Sequence, residues 1–521
     1  MTTTTTQTSV TLPKNSNQAL GIGQFAVDFM SGTIGEPSQD VLDKTKLFFT
    51  DAVLCGLSAI AVKTNAPTVL RNEALMYTSD RGATVFGSNE SVFPEKAILA
   101  NCAAVREWDS NGTNFGYNPI LGHTAGEFGH NDFYSVPIAA AQVMGVGGDT
   151  ALRGMVLHDE IRGRLAEVFS LKTYKIDHVV HGAIASAAVW GAMCGATPEQ
   201  IEAAIGMSVA HFIPWRAIRA GKQLSDSKGS SAAISTEVAI VAMNRAMGGF
   251  MGPRDIFRNP ESMFRQFEKT SGDSPFDLVM SHSGSDFAVM GMHFKIGLYE
   301  HQSAGALQGL LNLIKQHPEI AADPSLIDTI KITAYEPAFG IIGDPAKRNP
   351  KTRQSADHSM VYIVSAMLQK ARGIVDVEGA GFFAKSNDEH WKRLMLTPYD
   401  FDLDAVTNEE TCSIMETIFF EHGGQEYDDK YPDGIPTSVH ITMKNGNVFD
   451  SGLIMYPSGH ARNTDCDLED ILQAKFAMHG QIAMEDYSCV VGRCMGVDSL
   501  DADGINSIWD IDIADRPVYK D

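Results

Sequence analysis

The sequence predicts a mainly α fold class combined with a smaller α+β part. Between residues 18 and 290 the apolar residues recur mostly with helical spacing, whereas beyond Lys295 several segments alternate with the period of a strand. Residues 467–513 return to a helical pattern. We therefore expect three parts: a helical domain over 18–295, an α+β domain over 296–455, and a C-terminal helical segment over 456–521 that packs back on the first domain.

Capping residues mark two helix starts in the first domain. Ser38 precedes a helical run of apolar residues that extends to Val62, and its hydroxyl is suited to cap that helix. The run Thr197-Pro198-Glu199-Gln200 combines a capping threonine, a proline at the first helical position and a glutamine three residues after the cap. Residues 179–196, made largely of Ala and Gly, predict a tightly packed internal helix rather than a membrane span.

Strand signals define the α+β part. Residues 329–335 alternate with the period of a strand, and Asn445-Gly446 lies between two short strand-like runs, which predicts a β-hairpin. Residues 359–370 and 413–419 are expected to be helical. Strands and helices therefore mix in this part of the chain.

Charge and cysteine pattern exclude several classes of protein. Forty-one basic against sixty-four acidic residues give a formal net charge of −23, which repels nucleic acid and anionic membranes. The seven cysteines are scattered without a CxxC motif, so neither a four-thiolate zinc site nor an iron–sulfur cluster is expected. The glycine patches are too short for a dinucleotide fingerprint. We expect a cytoplasmic protein with reduced thiols, no cofactor and no metal, and a disordered threonine-rich tail that ends near Val10.

The stretch from Glu107 to His130 is rich in groups suited to proton transfer. Asp109 offers an acceptor, Thr113 a hydroxyl four residues later, and His130 an imidazole that titrates near neutral pH. Carboxylates and imidazoles among glycines are typical of a loop beside a polar ligand. A hydrogen-bonded turn without catalytic function is the alternative.

A second candidate is the pair His178 and His181, which precedes an Ala-rich helix. Zinc would need a third ligand at a familiar spacing, and none is present. Two histidines three apart are more often one working and one packing residue, so we assign His178 to the site and His181 to the structure.

Basic residues supply the third candidate. Four cations fall within thirteen residues, at Arg216, Arg219, Lys222 and Lys228, and such groups bind carboxylates. A solvated basic face is the alternative interpretation. Lys295 lies in an apolar setting where its ammonium needs an anion, either Glu300 or the carboxylate of a ligand.

Read in order, these segments resemble the 2-methylcitrate dehydratase branch of the MmgE/PrpD family, which also contains cis-aconitate decarboxylases. The match runs through most of the chain, and Tyr456-Pro457-Ser458-Gly459-His460-Ala461-Arg462 is its most specific motif. The other matching segments are Asp109 and Thr113 with Gly129-His130, Asp177-His178, Arg216 and Arg219 with Lys228, Phe294-Lys295-Ile296, His301-Gln302-Ser303, and Ala356-Asp357-His358 with Tyr362.

The resemblance implies a large all-helical domain plus a smaller α+β lid domain, with the site in the cleft between them. It also implies a homodimer that acts on a small di- or tricarboxylate without a redox cofactor. The residues that carry over as catalytic are Asp109, Thr113, His130, His178, Lys228, Lys295 and Tyr362; those that carry over as substrate-binding are Arg216, Arg219 and His301.

The reaction implied first is dehydration of 2-methylcitrate. Removing a proton next to a carboxylate builds up charge, so cations must lie where that charge develops and an acid must protonate the leaving hydroxyl. His130 and His178 would share the base and acid roles, with Lys228, Lys295 and Arg219 as a carboxylate clamp. The same groups suit a cis-aconitate decarboxylase or an epimerase, and a non-catalytic carboxylate-binding protein is the alternative from another class. After His130 the chain departs from the family pattern at Asn131-Asp132, and its loop over 114–124 is longer, which leaves open which polycarboxylate it takes.

Overall fold

The computed structural model describes residues 8–219 and 223–521. The chain is mainly helical with small open sheets, which confirms the predicted fold class. The longer helices are Gln18–Met30, Gln39–Ala61, Asn65–Leu75, Pro94–Glu107, Ser135–Met144, Gly148–Val168, Val179–Met193, Pro198–His211, Asp226–Met247, Ala304–Gln316, Met360–Glu378, Asn387–Leu394, Glu409–Thr417, Leu468–Ala483 and Ser488–Met495. The strands are Ser9–Leu12, Thr78–Thr84, Ser91–Val92, Thr113–Phe115, Phe128–His130, Leu278–Ser281, Ile327–Ala334, Ile418–His422, Thr437–Met443 and Val448–Asp450.

The helical core forms around the helices Pro94–Glu107 and Asp226–Met247. Asp226–Met247 packs against both Pro94–Glu107 and Val179–Met193, and Gln39–Ala61 also packs against Pro94–Glu107. Val179–Met193 is almost wholly buried, as its Ala and Gly content predicts, because small side chains let neighbouring helices approach closely. Leu468–Ala483 packs on Gln39–Ala61, so the C-terminal segment contacts the N-terminal helices.

The two helix starts predicted from capping residues are partly confirmed. Thr197 and Gln200 form the predicted capping box at the start of Pro198–His211, with both reciprocal hydrogen bonds present. Ser38 occupies the predicted cap position of Gln39–Ala61, but its side chain makes no capping hydrogen bond.

A four-stranded sheet forms the β part of the later chain. Its order is Val448–Asp450, Thr437–Met443, Ile327–Ala334, Ile418–His422, and the first two strands are the predicted hairpin. Ile418–His422 runs parallel to Ile327–Ala334 at the edge of the sheet. The prediction of a helix over 413–419 is therefore wrong at its end, because the helix stops at Thr417 and an edge strand follows. The proposed domain boundaries stay a prediction.

The N-terminal expectation is wrong in its last residues. Ser9–Leu12 pairs antiparallel with Leu278–Ser281, so residues 9 and 10 belong to a strand and not to a tail. Residues 1–7, where the rest of the predicted tail falls, lie outside the described residues. Within the described chain no single helix is both long and apolar enough to cross a membrane; Gln39–Ala61 and Asn65–Leu75 meet the length and composition test only together, across a bend of 90°.

Candidate active site

A short antiparallel ladder carries two of the predicted site residues. Thr113–Phe115 pairs with Phe128–His130, so that Thr113 lies directly opposite His130. The expectation of a loop over residues 107–130 is therefore wrong at Thr113–Phe115 and Phe128–His130, which are strands. Gly129 fits here because a side chain at this position would meet Asn114 and Arg162 atoms at 2.4 Å. The ladder fixes the positions of both residues.

A cavity opens beside this ladder. Its lining combines cations and imidazoles with a smaller set of apolar side chains. The lining residues are Arg106, Thr113, Phe115, Phe128, His130, His178, Arg216, Arg219, Glu300, Gln302, Ile341, Ile342, Lys347 and His358. Five of the ten predicted site residues therefore line one cavity: Thr113, His130, His178, Arg216 and Arg219.

His130 and His178 both line the cavity, and their ring centroids lie 5.1 Å apart. An arginine lies within hydrogen-bond distance of Nε2 in each ring: Arg106 Nη2 is 3.3 Å from His130 Nε2, and Arg219 Nη2 is 3.4 Å from His178 Nε2. A guanidinium only donates, so each Nε2 accepts and the ring proton lies on Nδ1. Burial, reinforced by the nearby arginines, holds the pKa of both histidines well below the usual range. Both rings are therefore neutral at neutral pH.

Asp109 is the centre of a buried charge network beneath the cavity. It is fully buried and accepts hydrogen bonds from Lys295 Nζ and, at 2.9 Å, from Arg106 Nη1. Lys228 Nζ lies 3.8 Å from its other oxygen. Burial alone would raise the pKa of Asp109, but the surrounding cations hold it well below its usual value. Asp109 is therefore ionised, and it neutralises cations rather than facing a ligand directly.

Asp357 is a second carboxylate in the same network. It accepts from Lys228 Nζ at 2.6 Å and from Arg353 Nη1 at 3.1 Å. His358 Nδ1 lies 2.8 Å from Asp357 Oδ1 and 3.1 Å from Asp109 Oδ2. The imidazole of His358 thus links the two carboxylates to the cavity, which it lines.

Asp177, next to His178, forms an ion pair with Arg219. The carboxylate accepts from Nε of Arg219 and, at 3.2 Å, from its Nη2. Although burial would raise it, Arg219 holds the pKa of Asp177 well below its usual value. This ion pair fixes the guanidinium of Arg219 at the cavity wall.

Lys228 and Lys295 do not lie where the sequence predicted. Both are buried beneath the cavity, and neither lines it. The predicted partner of Lys295 was Glu300 or a ligand carboxylate; its partner is Asp109. Both ammoniums already bind protein carboxylates, so they do not lie in the position expected of a clamp on the substrate.

Tyr362 and His301 also lie away from the cavity. The hydroxyl of Tyr362 donates to the backbone carbonyl of Asp400 at 2.6 Å, and its side chain is not among the cavity-lining residues. His301 lies behind the cavity wall, with its ring 5.6 Å from that of Phe115, and neither ring nitrogen has a hydrogen-bond partner among the described residues. His181, assigned to the structure, contacts the Phe169 carbonyl at 3.0 Å. Lys222 of the basic cluster lies outside the described residues.

Five polar cavity residues were not proposed as site residues from the sequence: Arg106, Glu300, Gln302, Lys347 and His358. A signal for His358 was present, because Asp357-His358 repeats the Asp-His dipeptide of residues 177–178. Arg106 lies three residues before Asp109, the spacing of a helical ion pair. Glu300 and Lys347 carry no pattern of their own. Burial, followed by the charge of Asp109, raises the pKa of Glu300 to about 7.

One group of side chains has metal-like spacing. Single donor atoms of Asp109, Asp357 and His358 all lie within 4.8 Å of one another. The same two carboxylates already bind the ammoniums of Lys228 and Lys295, so a divalent ion here would lie against two positive charges. The ion pairs with Lys228 and Lys295 therefore explain why the two carboxylates lie so close together.

A basic groove adjoins the cavity and shares Arg216, Arg219, Ile341 and Lys347 with it. Lys172 and Lys175 add two more cations, against the two acidic residues Glu336 and Asp344. The excess of positive charge is local, because the chain as a whole carries −23. Such a groove attracts anions towards the cavity.

Two family models match this chain, and both matched segments contribute residues to the cavity. Residues 24–275 match the MmgE/PrpD N-terminal domain and residues 299–378 match the MmgE/PrpD C-terminal domain. Over 330 residues the chain is 25% identical to a protein named "2-methylcitrate dehydratase, mitochondrial" from Yarrowia lipolytica, covering 63% of this chain and 58% of that protein. Over 316 residues it is 23% identical to the 2-methylcitrate dehydratase of Escherichia coli O157:H7, covering 60% of this chain and 59% of that protein. Over 342 residues it is 23% identical to alkylcitrate dehydratase phiI of a fungal species, covering 65% and 62%. The chain thus covers less than two thirds of the length of these relatives.

Proposed function

Because the chain belongs to the MmgE/PrpD family, we propose that it is a hydro-lyase that removes water from 2-methylcitrate or a closely related tricarboxylate. The names of its relatives support this reaction. The single observation that carries the proposal is the cavity itself, where imidazoles and arginines converge in a strongly acidic chain.

The cations of the cavity suit a substrate with several carboxylates. Arg216, Arg219 and Lys347 line both the cavity and the basic groove, so an anion attracted by the groove meets them first. Guanidinium groups bind carboxylates through paired charge-assisted hydrogen bonds, and water exclusion strengthens those bonds. The apolar side chains Phe115 and Phe128 offer a surface for an alkyl branch.

The chemistry needs no oxidant and no redox cofactor. A C–H bond next to a carboxylate and a C–O bond break, a C=C bond forms, and the proton and hydroxide leave as water. A neutral imidazole on the cavity wall can accept the proton from carbon, and the imidazolium so formed can return it to the departing hydroxide; a positioned group of this kind contributes about 10²–10⁴-fold. Arginines beside the rings stabilise the negative charge that develops on the substrate.

The experiment that tests the proposal is incubation of the purified protein with 2-methylcitrate and, separately, with cis-aconitate, followed by mass spectrometry. Loss of water from 2-methylcitrate is the expected result. Loss of carbon dioxide from cis-aconitate would favour a decarboxylase, exchange of a carbon-bound proton without mass loss would favour an epimerase, and binding without turnover would favour a non-catalytic carboxylate-binding protein. We also propose a cytoplasmic homodimer, which light scattering coupled to size exclusion and cell fractionation would test.

A further inference from the structure

We propose that His358 is the general base of this reaction, held and polarised by Asp357 and Asp109. The inference deepens the proposed hydro-lyase function and rests on it. Among the described residues, His358 is the cavity-wall imidazole that contacts two carboxylates: its Nδ1 lies 2.8 Å from Asp357 Oδ1 and 3.1 Å from Asp109 Oδ2.

The two carboxylates decide where the proton of the ring lies. Both are ionised, because Lys228 and the neighbouring arginines hold the pKa of Asp357 and Asp109 low against the effect of burial. An ionised carboxylate only accepts, so Nδ1 of His358 must donate and the lone pair lies on Nε2. Nε2 has no hydrogen-bond partner among the described residues, and the side chain lines the cavity. The lone pair of His358 is therefore available to a substrate proton.

The other two imidazoles of the cavity have the opposite arrangement. Nε2 of His130 accepts from Arg106, and Nε2 of His178 accepts from Arg219, so their remaining nitrogens carry protons. In both rings the lone pair of Nε2 is therefore already engaged by an arginine. Removal of a proton from carbon therefore falls to His358.

Burial, together with Lys228, lowers the pKa of His358 to about 3, so the free ring is neutral and its lone pair unprotonated. A bound polycarboxylate adds negative charge next to the ring and raises its pKa towards the range where a base is most effective. Asp357 and Asp109 then stabilise the imidazolium that forms. The same pair fixes the orientation of the ring, as carboxylates do for working histidines elsewhere.

The step balances without a further reactant. Nε2 takes the proton from the carbon next to a carboxylate, and the electron pair of that C–H bond forms the C=C bond. The C–O bond breaks, and the imidazolium of His358 gives the abstracted proton to the departing hydroxide, which leaves as water. The ring of His358 is thereby neutral again.

The test is chemical rescue of His358→Ala. We expect kcat to fall by about 10²–10⁴-fold while the variant stays folded by circular dichroism. Added imidazole should restore part of the rate, and a series of substituted imidazoles should restore more as their basicity rises, which a purely structural role would not produce. His358→Gln, which can still donate to Asp357, serves as a second variant that preserves packing and should be equally slow. His181→Ala removes a buried histidine outside the cavity and should need no rescue.

The outcomes separate the inference from the proposed function. Wild-type turnover combined with near-normal kcat in either His358 variant would overturn the role of His358 alone. Full activity in His358→Gln with no response of His358→Ala to any imidazole would reduce His358 to a positioning residue, which also overturns the inference. No wild-type turnover with any tested tricarboxylate would refute the proposed function and the inference that rests on it.

Discussion

Replacing Lys228 with methionine tests the charge network beneath the cavity. Lys228 is only 2% exposed, and its ammonium lies 2.6 Å from Asp357 and 3.8 Å from Asp109. Methionine keeps most of the apolar stem and removes the charge, which leaves Asp357 with Arg353 and His358 as its remaining partners. Breaking a buried pair by removing one partner costs about 3–5 kcal/mol. Because other cations remain, we expect the lower end of that range.

Urea unfolding at pH 7, followed by circular dichroism, measures the loss of free energy of unfolding. The matched control is Lys315→Met at an exposed position, which should change stability by no more than about 0.5 kcal/mol. Combining Lys228→Met with Asp357→Asn removes both partners, so the double variant should lose about 0.5–3 kcal/mol less than the two single losses added together. A Lys228→Met protein within about 1 kcal/mol of wild type, or strict additivity in the double variant, would refute the reasoning.

Three further predictions concern catalysis. His130→Ala and His178→Ala should each lower kcat by about 10²-fold or more, whereas His181→Ala should leave it nearly unchanged; steady-state kinetics checks this, and near-wild-type rates in both of the first two would contradict it. In the wild type, kcat/KM should fall as pH rises through about 7, because Glu300 then becomes an anion in a cavity for anions; Glu300→Gln should abolish that fall, and an identical pH profile would count against it. Turnover should survive prolonged dialysis against EDTA, and loss of activity restored by a divalent ion would mean that a metal takes part.

Local signals in the sequence predicted the elements that are decided locally. The capping box of Thr197 and Gln200 spans four residues, and the hairpin turn at Asn445-Gly446 needs the positive φ of 89° that Gly446 adopts. Ile418–His422 was missed because its partner, Ile327–Ala334, lies some ninety residues earlier and pairs with it at the sheet edge. No pattern within five residues reveals such a partner.

The same limit applies to the site. Its residue types were recognisable, since Asp109, His130 and His178 are the kinds of group that proton transfer requires. Their partners were not, because Lys295 binds Asp109, 186 residues away along the chain, and not Glu300, five residues away. Backbone hydrogen bonds explain this choice: Tyr299 N donates to Asp109 O and Glu300 N donates to Asp357 O, which aligns the Lys295 segment along both carboxylates.

The two Asp-His dipeptides show how one sequence pattern acquires two chemical states. In the first, Asp177 binds Arg219, and the same guanidinium donates to Nε2 of His178, so the proton of that ring lies on Nδ1. In the second, Asp357 accepts from Nδ1 of His358 and leaves Nε2 with its lone pair. The dipeptide marks where an imidazole meets a carboxylate, but the third partner decides which ring nitrogen can take a proton. Because that partner comes from a distant part of the chain, the division between proton-donating and proton-accepting histidines follows from the fold and not from the motif.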